Sequence, residues 1–131
     1  MSEAALETPG ELLQTARGLL ERGESGTSGL WARASALLGR QALERLLADL
    51  WRLQAPGTEE ASMRAQLICL PRYLEPRLAG RVAYAWGALS SACHQHAYEL
   101  APTVPELRGW LAVVEELGAE DDPQALKRSS R

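Results

Sequence analysis

Apolar residues recur at three- and four-residue steps in long runs along this chain, the period of helices that bury one face. The first run opens at "TPGE", which sets Thr8 as N-cap, Pro9 at the first helical position and Glu11 where a capping box closes. Leu12, Leu13, Ala16, Leu19 and Leu20 form its stripe, and "RGESGTSG" ends it with a flexible turn over residues 23–29. A second helix is predicted over residues 30–53, with Leu30, Ala34, Leu37, Leu38, Ala42, Leu46, Leu50 and Leu53 as its apolar face. "QAPGT" ends it. Thr58 is the expected cap of a third helix, with Glu59 and Glu60 in the first turn, where carboxylates suit the helix dipole.

Pro71 breaks that third helix, because proline removes a backbone donor and disfavours helix in the residue before it. After the bent connection "PRYLEP", a long fourth helix is predicted over residues 76–100, with Val82, Trp86, Leu89, Cys93, Ala97 and Leu100 on its core stripe. In "APTVPE", Thr103 caps a fifth helix and Glu106 completes a second capping box. Leu107, Trp110, Leu111, Val114 and Leu117 carry its apolar face, and Gly118 is its expected stop. "AEDDPQALKRSSR" has no apolar period. The prediction is an all-α, antiparallel four- to five-helix bundle: one domain over residues 1–118 and a flexible C-terminal tail over 119–131.

Composition agrees. The apolar content is Leu and Ala, with four Trp, no Phe, one Ile and four Val, so strand-forming residues are scarce. A chain of 131 residues holds one core. No apolar run reaches the ~18 to 20 residues that span a bilayer, and no basic start precedes an apolar run, so neither a membrane partner nor an export signal is predicted. Cys69 and Cys93 read as reduced thiols of a cytoplasmic protein. A net charge of −3 excludes nucleic-acid binding by bulk charge but leaves room for a local basic strip, for which Arg64, Arg72, Arg77 and Arg81 are candidates. Arg77 and Arg81, one turn apart, read equally as a solvated face.

The candidate chemistry sits in "SACHQHAYELAPT", residues 91–103. His94 and His96 are two residues apart, a step of about 200° around a helix, so their rings point to opposite sides and cannot share a metal ion. Cys93 and His96 have a permissible spacing of three, but no third or fourth ligand lies nearby, and no metal is predicted. His94 lies one turn from Tyr98, and His96 one turn from Glu99; a carboxylate beside an imidazole orients a general acid or base. Both histidines also fit as hydrogen-bonded residues at the edge of a core. On the wheel His96 falls nearer the core stripe and His94 nearer a cleft.

Residues 82–98 contain no Asp, Glu, Lys or Arg, seventeen in a row. A helix on the outside of a small bundle normally shows a charged face to water. Tyr84, Ala88, Ser91 and Gln95, opposite the stripe, are therefore the expected interface of a homodimer.

"LLGRQALERLLADLW" in the second helix, preceded by "LLQTARGLLERG" and followed by "ACHQHAYELAPT" and "ELRGWL", resembles the HEPN superfamily (higher eukaryotes and prokaryotes nucleotide-binding domain) over residues 8–118. The resemblance is to a small bacterial group. It implies an antiparallel four-helix core, homodimerisation, and a role in RNA cleavage, nucleotide binding, or a toxin–antitoxin or defence system with a protein partner from a neighbouring gene. HEPN ribonucleases carry an arginine followed, after four to six residues, by a histidine. Here the positions that would hold it are Gly87, Ala88 and Leu89 for His94, and Leu89, Ser90 and Ser91 for His96; the nearest upstream arginine is Arg81. The ribonuclease motif is absent.

Arg40, with Glu44 one turn on, interrupts the apolar second helix. The pair reads as a structural bridge at a helix interface, or as a displaced guanidinium that meets His94 or His96 if the second and fourth helices pack together. No Gly-rich phosphate loop, HExxH, CxxC pair or nucleophile elbow occurs, so no cofactor is expected. Two functions lead, with an unrelated helical adaptor as a residual third. One is a non-catalytic or degenerate HEPN-like dimer that binds a protein partner or a nucleotide. The other is a metal-independent ribonuclease built on His94 or His96 with Arg40.

Overall fold

The computed structural model describes residues 7–23, 30–94 and 100–120. Among the described residues five α-helices follow one another: α1 Pro9–Gly23, α2 Leu30–Gln54, α3 Met63–Cys69, α4 Pro76–Cys93 and α5 Val104–Glu120. The described residues contain no strand, and the architecture is an all-α bundle. α1, α2, α4 and α5 form the bundle, while α3 and the short 3-10 turns at Thr58–Glu60 and Leu70–Arg72 cover one end.

Cross-helix contacts set the directions. Ser35 Oγ donates to the carbonyl of Ala16 at 3.1 Å, tying the start of α2 to the later half of α1. Arg17 grips Glu115 with two nitrogens, each 2.9 Å from a carboxylate oxygen, and Arg81 pairs with Glu116, so α5 is bound to α1 on one side and α4 on the other. Neighbours around this ring run antiparallel. α2 and α5 face each other across the diagonal and run parallel: Gly39 lies against Leu111, and Gly118 against Leu46.

Two caps expected from the sequence form. Thr8 Oγ1 accepts from Glu11 N, and Thr103 and Glu106 exchange backbone-to-side-chain bonds at 3.0 and 3.2 Å. Other expectations need correction. Thr58 does not cap a long third helix: it opens a single 3-10 turn after Gly57, whose φ of 100° lets the chain reverse, and Ser62 caps α3 by accepting from Ala65 N. α4 ends at Cys93 with His94 as its cap residue, and Leu100 is 97% exposed rather than part of a core stripe. Gly118 does not stop α5, which continues to Glu120.

The core face of α2 also differs. Leu30 and Leu53 are 71% and 63% exposed and Leu37 is exposed too, whereas Ala32, Ser35, Ala36, Gly39 and Ala42 are buried beside Leu43, Leu46, Leu47, Leu50 and Trp51. The small residues win because they let neighbouring backbones approach. At Gly39 a Cβ would stand 2.6 Å from Leu111 Cδ2 and 3.4 Å from Leu89 Cδ2, so three helices meet where no side chain fits.

Trp51, fully buried, anchors the covered end. Its indole N–H donates to Gln66 Oε1 at 2.9 Å, while the Gln66 amide nitrogen donates to the carbonyls of Ala61 and Glu59. Tyr73 meets the indole edge-on, with ring centroids 5.3 Å apart. Gln66 thus satisfies a buried donor and two loop carbonyls at once, and an apolar residue there would orphan the buried indole N–H, at roughly 1 to 3 kcal/mol.

Replacing Gly39 by Ala should destabilise the protein by about 1 kcal/mol, since overpacking at ~1 to 3 kcal/mol exceeds the ~1 kcal/mol gained in helix propensity. Gly80, exposed within α4 with open space around it, lacks the clash, and Gly80→Ala should stabilise by ~0.5 to 1 kcal/mol. Urea melts of the two variants therefore shift in opposite directions; a shared sign refutes the close-approach account.

Glu75 caps α4, its carboxylate accepting from the N–H groups of Arg77 and Leu78 at 3.0 Å each. Those two bonds hold its pKa below the ordinary 4.5, with smaller help from the charges of Arg77 and Arg81. A lowered folded-state value contributes stability that is complete above the ordinary range and lost as pH falls through the folded value. Glu75→Gln should flatten the acid limb of stability below about pH 4.5 and leave its slope near neutrality unchanged, as measured by denaturant melts across pH.

Candidate functional site

The seam between α2 and α4 collects the candidate polar residues. Trp86 reaches across it, and its indole N–H donates to Glu44 Oε2 at 3.0 Å. Arg40 lies one turn back on α2, with its Nε 3.8 Å from that same Glu44 oxygen. Antiparallel packing carries the register onward: four residues forward on α4 is Ser90, and four residues back on α2 from Glu44 is Arg40, so both stand one turn along from the Trp86–Glu44 bond. Arg40 Nε and Ser90 Oγ are buried atoms, and neither has a hydrogen-bond partner among the described residues.

Cys93 lies next along the seam. Burial pushes its thiol above the ordinary 9.0; Arg40 opposes this, Glu44 adds to it, and Arg33 opposes it again. Arg40 therefore does come within electrostatic reach of the end of α4. Its guanidinium forms a long ion pair with Glu44, with side-chain exposures of 23% and 38% for the two residues. His94 is exposed at the mouth of the seam, its backbone N–H donating to the carbonyls of Ser90 and Ser91. Gln95, His96, Tyr98 and Glu99 fall outside the described residues, as does the turn over 24–29 and the tail beyond Glu120. α4 ends at Cys93 with His94 at its cap, and the expected divergence of His94 from His96 lies outside the described residues.

The expected interface lies on the other side of α4. Tyr84 is 71% exposed and Ser91 is exposed, with Ala88 half-buried between them. Half-buried Trp110 of α5 separates two clefts of about 770 and 490 Å³: Tyr84 lines the first together with Arg77 and Arg81, and Ala88 and Ser91 line the second. Arg64 and Arg72 lie on α3 and the turn after it, and Arg81 is paired with Glu116, so the four arginines do not make one unpaired strip.

The sequence pattern did not single out Ser90, and it set Trp86 on the core stripe, where the half-buried indole does pack against the core, without its bond to Glu44. Helical spacing was a usable signal for both: Trp86, Ser90 and Cys93 follow at steps of four and three, matching Arg40 and Glu44 across the seam. Among the described residues no group of three or more His, Cys, Asp or Glu side chains could hold a metal ion, and no helix is long and apolar enough to cross a membrane. Comparison with family models, curated proteins and solved structures returns no match.

The seam makes a chemical forecast. Glu44→Gln removes a negative charge that holds the Cys93 thiol up, so alkylation of Cys93 by iodoacetamide at pH 8 should accelerate; Arg40→Gln should slow it. Cys69, exposed on α3, is replaced by Ser in both variants so that only Cys93 reports. Equal rates in the two variants would place both charges too far away to act.

Proposed function

We propose that the chain is a non-catalytic, degenerate HEPN-like protein that acts as a homodimer and binds a partner, either a protein or a nucleotide, in a toxin–antitoxin or defence setting in the cytoplasm. The observation that carries the reading is the outer face of α4: uncharged from Val82 to His94, with Tyr84 71% exposed beside the Trp110 clefts. A ring of that size left in water forgoes an apolar burial worth roughly 1.5 to 3 kcal/mol. A second copy presenting the same face satisfies both at once. The missing ribonuclease arginine at positions 87–89, and an Arg40 held by Glu44, support binding over catalysis.

The second reading, a metal-independent ribonuclease, draws on the reach of Arg40 toward Cys93, the residue before His94. There the guanidinium would neutralise a phosphate and the exposed imidazole would transfer the proton. His94→Ala should then abolish RNA cleavage while leaving stability within about 1 kcal/mol, because the ring lies off the packed core.

The dimer is tested by sedimentation. The parent chain should sediment as a dimer at high micromolar concentration, and Ala88→Glu should give a folded monomer with unchanged helical circular dichroism, because it places an unpaired charge in the contact. A monomeric parent at that concentration overturns the reading.

A further inference from the structure

We infer that the α2–α4 seam binds a carboxylate group, held by Arg40 Nε–H and Ser90 Oγ–H. The inference deepens the reading of the chain as a binding protein, but it does not depend on the dimer. It starts from two buried donors with nothing to donate to among the described residues. A buried polar group without a partner costs roughly 1 to 3 kcal/mol, and proteins keep few of them. Here the register of the Trp86–Glu44 bond puts two of them along one seam. One comes from each helix, each a single turn from the Trp86–Glu44 bond that sets the register.

The neighbours specify the ligand. Glu44 is not the missing acceptor: its Oε2 already accepts from Trp86 and stands 3.8 Å from Arg40 Nε, beyond hydrogen-bond length. The ligand therefore has to bring its own oxygens. A planar carboxylate offers two, one for the guanidinium edge and one for the hydroxyl. Charge favours the same choice. Arg40 and Glu44 cancel, so a singly charged group meets less repulsion from Glu44 than a dianionic phosphate does. Apolar side chains flank Arg40 and Glu44: Leu37, three residues before Arg40, is exposed, and Trp86, bonded to Glu44, is half-buried. Those side chains suit a carboxylate borne on a hydrocarbon stem, whether a free acid or an acidic side chain of a protein.

The indole N–H of Trp86 touches this site and provides a local probe. In the ¹⁵N-labelled full chain its resonance is identified by its loss in Trp86→Phe. Acetate represents a free acid, N-acetyl-glutamic acid amide a protein side chain, and sulfate a dianion, each titrated at an ionic strength matched with chloride. The expected result is a saturable shift with one or both carboxylates, weakened about tenfold by Ser90→Ala, the loss of one charge-assisted hydrogen bond. The tighter carboxylate names the source. Arg40→Gln should remove the shift, and if that variant fails to fold, Ser90→Ala alone decides. A shift no larger than chloride gives, or one unaffected by Ser90→Ala, means that the two donors hold water only and overturns the inference. Tighter binding of sulfate than of either carboxylate overturns the choice of ligand. Running the titration in Ala88→Glu as well separates this site from the dimer: a monomer that still binds keeps the carboxylate site whatever the fate of the interface.

Discussion

At Gly39 the side chain of Leu111 intrudes on the space where a Cβ would sit and Leu89 packs beside it, and this close approach organises the bundle. Helix pairs normally stand ~8 to 10 Å apart, at a distance set by the side chains in contact. α2 has to serve α1, α4 and α5 together, which it does by burying Ala32, Ser35, Ala36, Gly39 and Ala42 on its inner side. The bulk comes from its partners. Once Leu89 and Leu111 are seated at Gly39, the register of α4 and α5 against α2 is set, and five residues along α2 from Gly39 brings Glu44 opposite Trp86. The polar seam inherits its geometry from an apolar contact.

The same preference for small residues explains where the sequence misleads. Helix boundaries marked by local chemistry were legible: Thr8 with Glu11, Thr103 with Glu106, and the break at Pro71 all need only neighbours a few residues away. The inner face of α2 was not. Its leucines are spread over more of the circumference than one interface can bury, and a scale that rewards bulk selects Leu30, Leu37 and Leu53 over Ala32, Ala36 and Gly39. Only the partners across the interface decide between them. Thr58 misleads for another reason, and Glu75 gives no signal of its role. A threonine before two glutamates resembles a cap, yet Ser62 takes that role for α3, whereas the carboxylate of Glu75 caps α4 although glutamate is not among the favoured N-cap residues.

For the candidate site, the sequence carried the residue types but not the commitments among them. Arg40 and Glu44 form a pair at helical spacing, as their separation suggested, but Trp86 as the third member requires the α2–α4 register. Its burial is incomplete because the indole N–H needs an acceptor, and the nearest one is a partly exposed carboxylate. Histidine drew the eye in the sequence. The structure puts the unmet hydrogen-bonding capacity at a serine and an arginine instead.

The uncharged run of α4 then divides between two tasks. Trp86, Ser90 and Cys93 lie within about 60° of one another on the helix, and Tyr84, Ala88 and Ser91 within about 60° of one another on the far side. The first group faces the polar seam with α2, where charge comes from Arg40 and Glu44 and none is needed from α4 itself. The second faces the Trp110 clefts, where the charge of α4 comes from Arg77 and Arg81 at its start and none from Tyr84, Ala88 or Ser91. The proposed dimer face and the proposed carboxylate seam lie on different sides of α4, so a mutation on either side tests one proposal and not the other.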